Sequence, residues 1–132
     1  MKKLKVKLDS LMEIFGSSDS YDWMSYLNIH TGESELVSRE ESDNYDTEDY
    51  IQIPMQDTSG YKTMQEFIET IKDANIRELL WVAIDGRGAF GRFKDVIYNK
   101  GLSDQWYQFR DTKKQEQIIE WLNDNNIEPE FV

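Results

Sequence analysis

Apolar and polar positions follow two different rhythms along this chain. In the N-terminal half, Leu8, Leu11, Met12 and Phe15 fall at the i, i+3, i+4, i+7 spacing of an amphipathic helix. Asp9 or Ser10 is its cap and Gly16 its stop. From there the pattern turns to strands. Trp23 to Ile29 is rich in aromatic and branched residues, His30-Thr31-Gly32 supplies a turn, and Glu33 to Ser38 returns, which predicts a β-hairpin. Tyr50-Ile51-Gln52-Ile53 alternates and stops at Pro54, as a short strand does.

The C-terminal half is helical in period. Thr63-Met64-Gln65-Glu66 fits a capping box, in which hydroxyl and carboxylate satisfy opposite free amides, and Met64, Phe67, Ile68 and Ile71 form the following stripe. Asn75 with Glu78 opens a second helix carrying Ile76, Leu79, Leu80, Ala83 and Ile84, with Gly86 to end it. Ala89, Phe90, Phe93 and Ile97 stripe a third, ended by Gly101. Trp106 and Phe109 predict a short helical piece, and Thr112 with Gln115 caps a last helix bearing Ile118, Ile119 and Leu122, closed near Asn126. The class is α+β: a small antiparallel sheet, hairpin plus one strand, followed by a four- to five-helix C-terminal half. One domain over residues 1–132 is expected. Its core should hold Phe67, Ile71, Leu80, Ile84, Phe90, Phe93, Ile97, Ile119 and Leu122, with Arg92 at least partly exposed.

Composition narrows the class of molecule. Apolar residues make up 39% of the chain and aromatics 13%, too many large anchors for a disordered acidic segment. The longest apolar run, Leu79 to Ile84, is far short of the roughly 20 residues that cross a bilayer. The opening Met1-Lys2-Lys3-Leu4-Lys5-Val6-Lys7 is basic but lacks the apolar stretch of a secretory signal. Cysteine is absent, which excludes disulfides, thiolate metal sites and a cysteine nucleophile. These features together set a cytoplasmic expectation.

Charge is uneven. The formal net charge is −11, which opposes nonspecific binding to nucleic acid or anionic lipid over the whole surface. Within it, residues 86–114 hold Arg87, Arg92, Lys94, Lys100, Arg110, Lys113 and Lys114 against Asp95, Asp104 and Asp111. The cations lie among Phe90, Phe93, Trp106, Tyr107 and Phe109. Guanidinium groups beside aromatic faces hold phosphates and stack single-stranded bases. The competing reading turns the aromatics inward and pairs the cations with the abundant carboxylates. Since Phe90 and Phe93 share a stripe with Ile97, that reading is preferred.

Three further features carry less. Gly86-Arg87-Gly88-Ala89-Phe90-Gly91 matches G-x-G-x-x-G, whose glycines let a backbone approach a phosphate at a helix start. The match lies late in the chain, with no parallel strand left to complete a βαβ unit, so capping glycines explain it better than a dinucleotide site. The acidic loop at about 39–49 packs six carboxylates into Glu40 to Asp49 but has neither the glycine nor the spacing of an EF-hand. A solvated loop is preferred there, with Asp43, Asp46, Glu48 and Asp49 as the alternative metal set of a carboxylate hydrolase. His30 is the lone imidazole and lies in a turn with no marked nucleophile nearby.

The segment Gly86-x-Gly88-Ala89-Phe90-x-Arg92-Phe93-Lys94-Asp95, followed by Trp106-Tyr107-x-Phe109-Arg110 and by Trp121-Leu122 before Ile127-Glu128, resembles uncharacterised protein family 0158, a group of small bacterial proteins. Upstream, Leu8-Asp9-Ser10-Leu11, the Tyr26-Leu27-x-x-x-Thr31-Gly32 hairpin and Tyr50-Ile51-x-Ile53-Pro54 extend the likeness over nearly the whole chain. The resemblance implies no activity. It does imply a basic residue where this chain has Gly91, so the third glycine of the apparent motif is incidental.

The resulting expectation is a non-enzymatic interaction module with a protein partner, without metal or cofactor and without a membrane. The alternative is recognition of nucleic acid or a phosphate ligand by Arg87, Gly88, Arg92, Lys94, Trp106, Tyr107 and Arg110.

Overall fold

The computed structural model describes residues 1–15, 22–54 and 60–132. The chain divides into two compact units: Met1–Asp57 with Lys114–Val132, and Thr58–Lys113. The class is α+β, with most of the helix in the C-terminal half.

In the first unit, β1 (Lys2–Val6) and β5 (Ile127–Phe131) form a parallel pair in the register Lys2↔Ile127, Leu4↔Pro129, Val6↔Phe131. β1 alternates over its second half: Leu4 and Val6 are buried while Lys5 between them faces solvent, as do Lys2 and Lys3. The sequence pattern does not reveal this pair, because Pro129 interrupts the strand signal. Proline is tolerated there because, among the described residues, β5 pairs along one edge only.

α1 (Leu8–Ile14) follows and buries Leu11, while the expected stop at Gly16 lies outside the described residues. The three-stranded antiparallel sheet has the order β3-β2-β4, built from β2 (Trp23–Asn28), β3 (Ser34–Ser38) and β4 (Tyr50–Gln52). Its hairpin turn is closed by Asn28, whose side-chain oxygen accepts from the amides of His30 and Thr31. Gly32 completes the turn at φ +77°, and a Cβ there would fall on the Lys5 carbonyl oxygen of β1. Leu4, Val6, Leu11, Leu27, Ile53, Ile118, Leu122 and Ile127 form this unit's core.

The second unit is helical: α2 (Gly60–Thr70), α3 (Ala74–Ala83), α4 (Ala89–Asn99) and the first half of α5 (Ser103–Asp124). Asp73 caps α3, its carboxylate accepting from the amides of Asn75 at 2.9 Å and Ile76 at 3.2 Å. The core is aromatic at its centre. Phe93 and Trp106 meet edge-on at 4.8 Å between ring centroids, and Phe67 lies against Trp106 at 5.3 Å. Met64, Ile68, Ile71, Leu80, Ile84 and Ile97 surround them.

Several expectations are corrected. Thr63 does not open α2 but lies within it, buried. Thr112 is likewise internal, its hydroxyl donating to the Gln108 carbonyl one turn back, because the two expected C-terminal pieces are one helix of 22 residues. The apolar positions of α5 change phase between Phe109 and Ile118, which breaks the periodicity without breaking the helix. Phe90 and Ile119 are not core; they are 53% and 37% exposed. The buried stripe of α4 runs Ala89, Phe93, Ile97 at i, i+4, i+8, so Phe90 sits on its flank.

Candidate functional site

Arg92 lies in the second turn of α4 with its guanidinium folded back onto the end of α3. Its Nε donates to the Ala83 carbonyl at 2.9 Å, its Nη2 to the Asp85 carbonyl at 2.6 Å, and its Nη1 to the Arg87 carbonyl. The last carbonyls of a helix have no partner within it, and a cation there also suits the helix dipole. One planar side chain therefore closes the α3–α4 corner. Gly88, at φ +74°, is the residue before α4; a Cβ there would come within 3.0 Å of the same guanidinium. Arg92 and Gly88 thus meet as parts of the corner.

The other segment residues divide. Trp106 is buried among Phe67 and Phe93, and its indole N–H has no hydrogen-bond partner among the described residues. Tyr107 is exposed, and the Arg110 guanidinium lies over its ring at 4.8 Å. Arg110 also approaches the Asp111 carboxylate at 3.3 Å. Arg87 and Lys94 are exposed, and their side chains have no ion pair among the described residues. The structure therefore joins Tyr107 to Arg110, and Arg92 to Gly88 and the Arg87 backbone.

In the first unit, His30 Nε2 lies 2.7 Å from the Asp49 carboxylate and its Nδ1 lies 3.1 Å from Lys2 Nζ, both side chains remaining largely exposed. Asp49 is thereby tied to the hairpin turn. Among the described residues no three carboxylate or imidazole side chains converge as metal ligands. The Tyr45 ring makes tilted contacts with Tyr26 and Tyr50, at centroid separations of 5.4 Å and 4.6 Å. Burial, then the charge of Glu35, pushes the Tyr50 hydroxyl above the ordinary tyrosine range.

A further feature is one that the charge pattern does not mark. Tyr61, Ala74, Arg77, Glu78, Trp81, Val82, Ile84 and Asp85 line a cleft of about 580 Å³ at the surface of the second unit. Ala74, Glu78, Trp81 and Asp85 follow one stripe of α3 and its C-terminal extension, while Tyr61 comes from α2. The Tyr61 hydroxyl donates to the Ile84 carbonyl at 3.0 Å, which fixes that ring at the cleft wall. Arg77, also in the lining, donates from Nη1 to the Ile71 carbonyl at 2.8 Å. Of the lining, Val82 is 68% and Trp81 38% exposed, and Leu79 on the same helix is 47% exposed. The signal was present in the sequence as Leu79 to Ile84: six consecutive apolar residues wind more than once round a helix, so some must face outward.

With this geometry in view, the sequence matches the Uncharacterised protein family (UPF0158) over residues 1–132. The chain belongs to that family. A UPF0158 relative from Pseudomonas aeruginosa, "UPF0158 protein PA5073", is 28% identical over 114 residues, covering 79% of this chain and 74% of the relative. No solved structure matches the chain. UPF0158 has no known function, so membership supplies a lineage and leaves the chemistry to the residues. No helix among the described residues is long and apolar enough to cross a membrane.

Proposed function

We propose that this chain is a non-catalytic interaction module, working in the cytoplasm, that docks a protein partner on the outward face of α3. The observation that carries the reading is the exposure of Leu79, Trp81 and Val82 beside the cleft. A helix serving only its own core carries polar residues at such positions. Contiguous exposed apolar surface with aromatic anchors beside a concavity is where partners bury area and where binding energy concentrates. The absence of cysteine supports a reducing compartment and leaves no thiol nucleophile. Purification from native extract is the test. A stoichiometric protein partner should accompany the wild type and be lost from Val82→Glu. Recovery of no such partner, or equal recovery on the variant, overturns the reading.

A second reading, binding of nucleic acid or a phosphate ligand, is favoured by the exposed Tyr107 ring beneath Arg110. It offers a π-face and a cation together, with Arg87 and Lys94 adding charge while Gly88, Arg92 and Trp106 frame the helices. Binding to a single-stranded oligonucleotide should then weaken steeply with salt and weaken further in Arg87→Ala and Arg110→Ala. Salt-insensitive binding, or none, removes it.

A further inference from the structure

The cleft beside α3 combines two kinds of lining that are rarely useful apart. Two aromatic side chains, Tyr61 and Trp81, lie with two carboxylates, Glu78 and Asp85. Neither carboxylate has an ion pair among the described residues. The one cation in the lining, Arg77, is turned onto the Ile71 carbonyl. We infer that the cleft receives a lysine or arginine side chain of a protein partner, flanked on that partner by an apolar residue that covers Val82 and Leu79. This rests on the docking reading above and names the chemistry of its partner.

The argument is one of complementarity. An ammonium or guanidinium over an indole or phenol ring is attracted by the ring's negative face, most strongly by tryptophan. The same cation forms a charge-assisted hydrogen bond to a carboxylate. An acidic side chain in the same place would meet Glu78, Asp85 and a chain of net charge −11, which repels it. A purely apolar side chain would leave both carboxylates to be desolvated without a partner. Tyr61 is already fixed by its bond to Ile84, so its ring needs little ordering on binding. The exposed Leu79 and Val82 set the second requirement, an apolar neighbour on the incoming segment.

The probe is a synthetic peptide alternating leucine and arginine, compared with the same peptide carrying glutamate for arginine. Binding is followed by NMR on the full chain through the Trp81 indole N–H, identified by its loss in Trp81→Phe. The arginine peptide should give a saturable shift of that resonance and the glutamate peptide none. The Glu78→Gln/Asp85→Asn double variant should lose at least tenfold in affinity. Glu40→Gln/Glu41→Gln, which removes the same charge from the acidic loop, should keep wild-type affinity. No shift, equal affinity in the cleft variant, or an equal loss in the loop variant overturns the inference. A concentration-dependent dimer dissolved by Glu78→Gln/Asp85→Asn also overturns it, because the occupant is then a second copy. The docking reading is tested separately by Val82→Glu. A partner lost from Val82→Glu but kept by Glu78→Gln/Asp85→Asn leaves docking standing and removes the basic side chain. A partner kept by both removes both.

Discussion

The guanidinium of Arg92 donates to the carbonyl of Ala83 at 2.9 Å, nine residues earlier and across a helical corner. The same group reaches the carbonyls of Asp85 and Arg87. Arg92→Ala leaves the end of α3 to water and should cost about 1–3 kcal/mol, with a matching fall in melting temperature. Arg92→Lys should recover only part of that, because one ammonium cannot span carbonyls arranged for a planar fork. Denaturant unfolding of the three proteins checks both; a wild-type midpoint for Arg92→Ala would refute the clamp.

Two glycines should respond to alanine with opposite signs. Gly32 lies at φ +77° with the Lys5 carbonyl in the path of a Cβ, so Gly32→Ala should destabilise on the order of 2–3 kcal/mol. Gly91 lies inside α4 with open space where a Cβ would go, and Gly91→Ala should stabilise by about 0.5–1 kcal/mol. Thermal melts of the pair measure this directly, and effects of equal sign would contradict it.

Neighbouring phenylalanines on α4 should separate just as clearly. Phe93 is 1% exposed against Phe67 and Trp106, so Phe93→Ala should cost about 3–5 kcal/mol. Phe90 is 53% exposed, so Phe90→Ala should stay within about 1 kcal/mol. Chemical denaturation reads the difference. Comparable losses would mean that Phe90 is covered in solution.

Tyr50 should titrate late. Its hydroxyl is raised by burial and by Glu35, so the folded state holds this proton after an unfolded chain has released it. The contribution is complete below the ordinary tyrosine range, near pH 10, and is lost as pH climbs through the raised value. Ultraviolet titration should show a late phenol in the wild type that disappears in Tyr50→Phe. Stability in the same alkaline window should fall less steeply in that variant. Titration of all seven tyrosines together would count against this.

The hairpin was legible because β-rich runs flank Thr31-Gly32, and its turn depends on local atoms such as the Asn28 side chain. The helical stripes were legible for Phe67, Leu80 and Phe93 for the same reason. What failed was non-local or one residue out of phase. β5 was hidden by Pro129, and its pairing with β1 depends on residues at opposite ends of the chain. Phe90 fits an i, i+3 stripe with Phe93, yet the core selects Ala89 at i−4 instead. Among site residues, charge counting found Arg87, Lys94 and Arg110 on the surface and expected Arg92 at least partly exposed, which it is, but could not tell that its guanidinium folds back onto the carbonyls that end α3. Backbone carbonyls leave no mark in a side-chain pattern. The α3 cleft went unread because its lining combines residues from α2 and α3 that only folding brings together.

The parallel partnership of Lys2–Val6 with Ile127–Phe131 also sets an order on biosynthesis. β5 is made after every other element described, so β1, made first, has no strand partner until Ile127–Phe131 is free to fold. Throughout that interval Leu4 and Val6 lack the neighbour that covers them, so a nascent chain exposes a sticky strand that the finished fold conceals. A stalled ribosome would release its product with that strand unmatched, the form most apt to aggregate or to engage a chaperone.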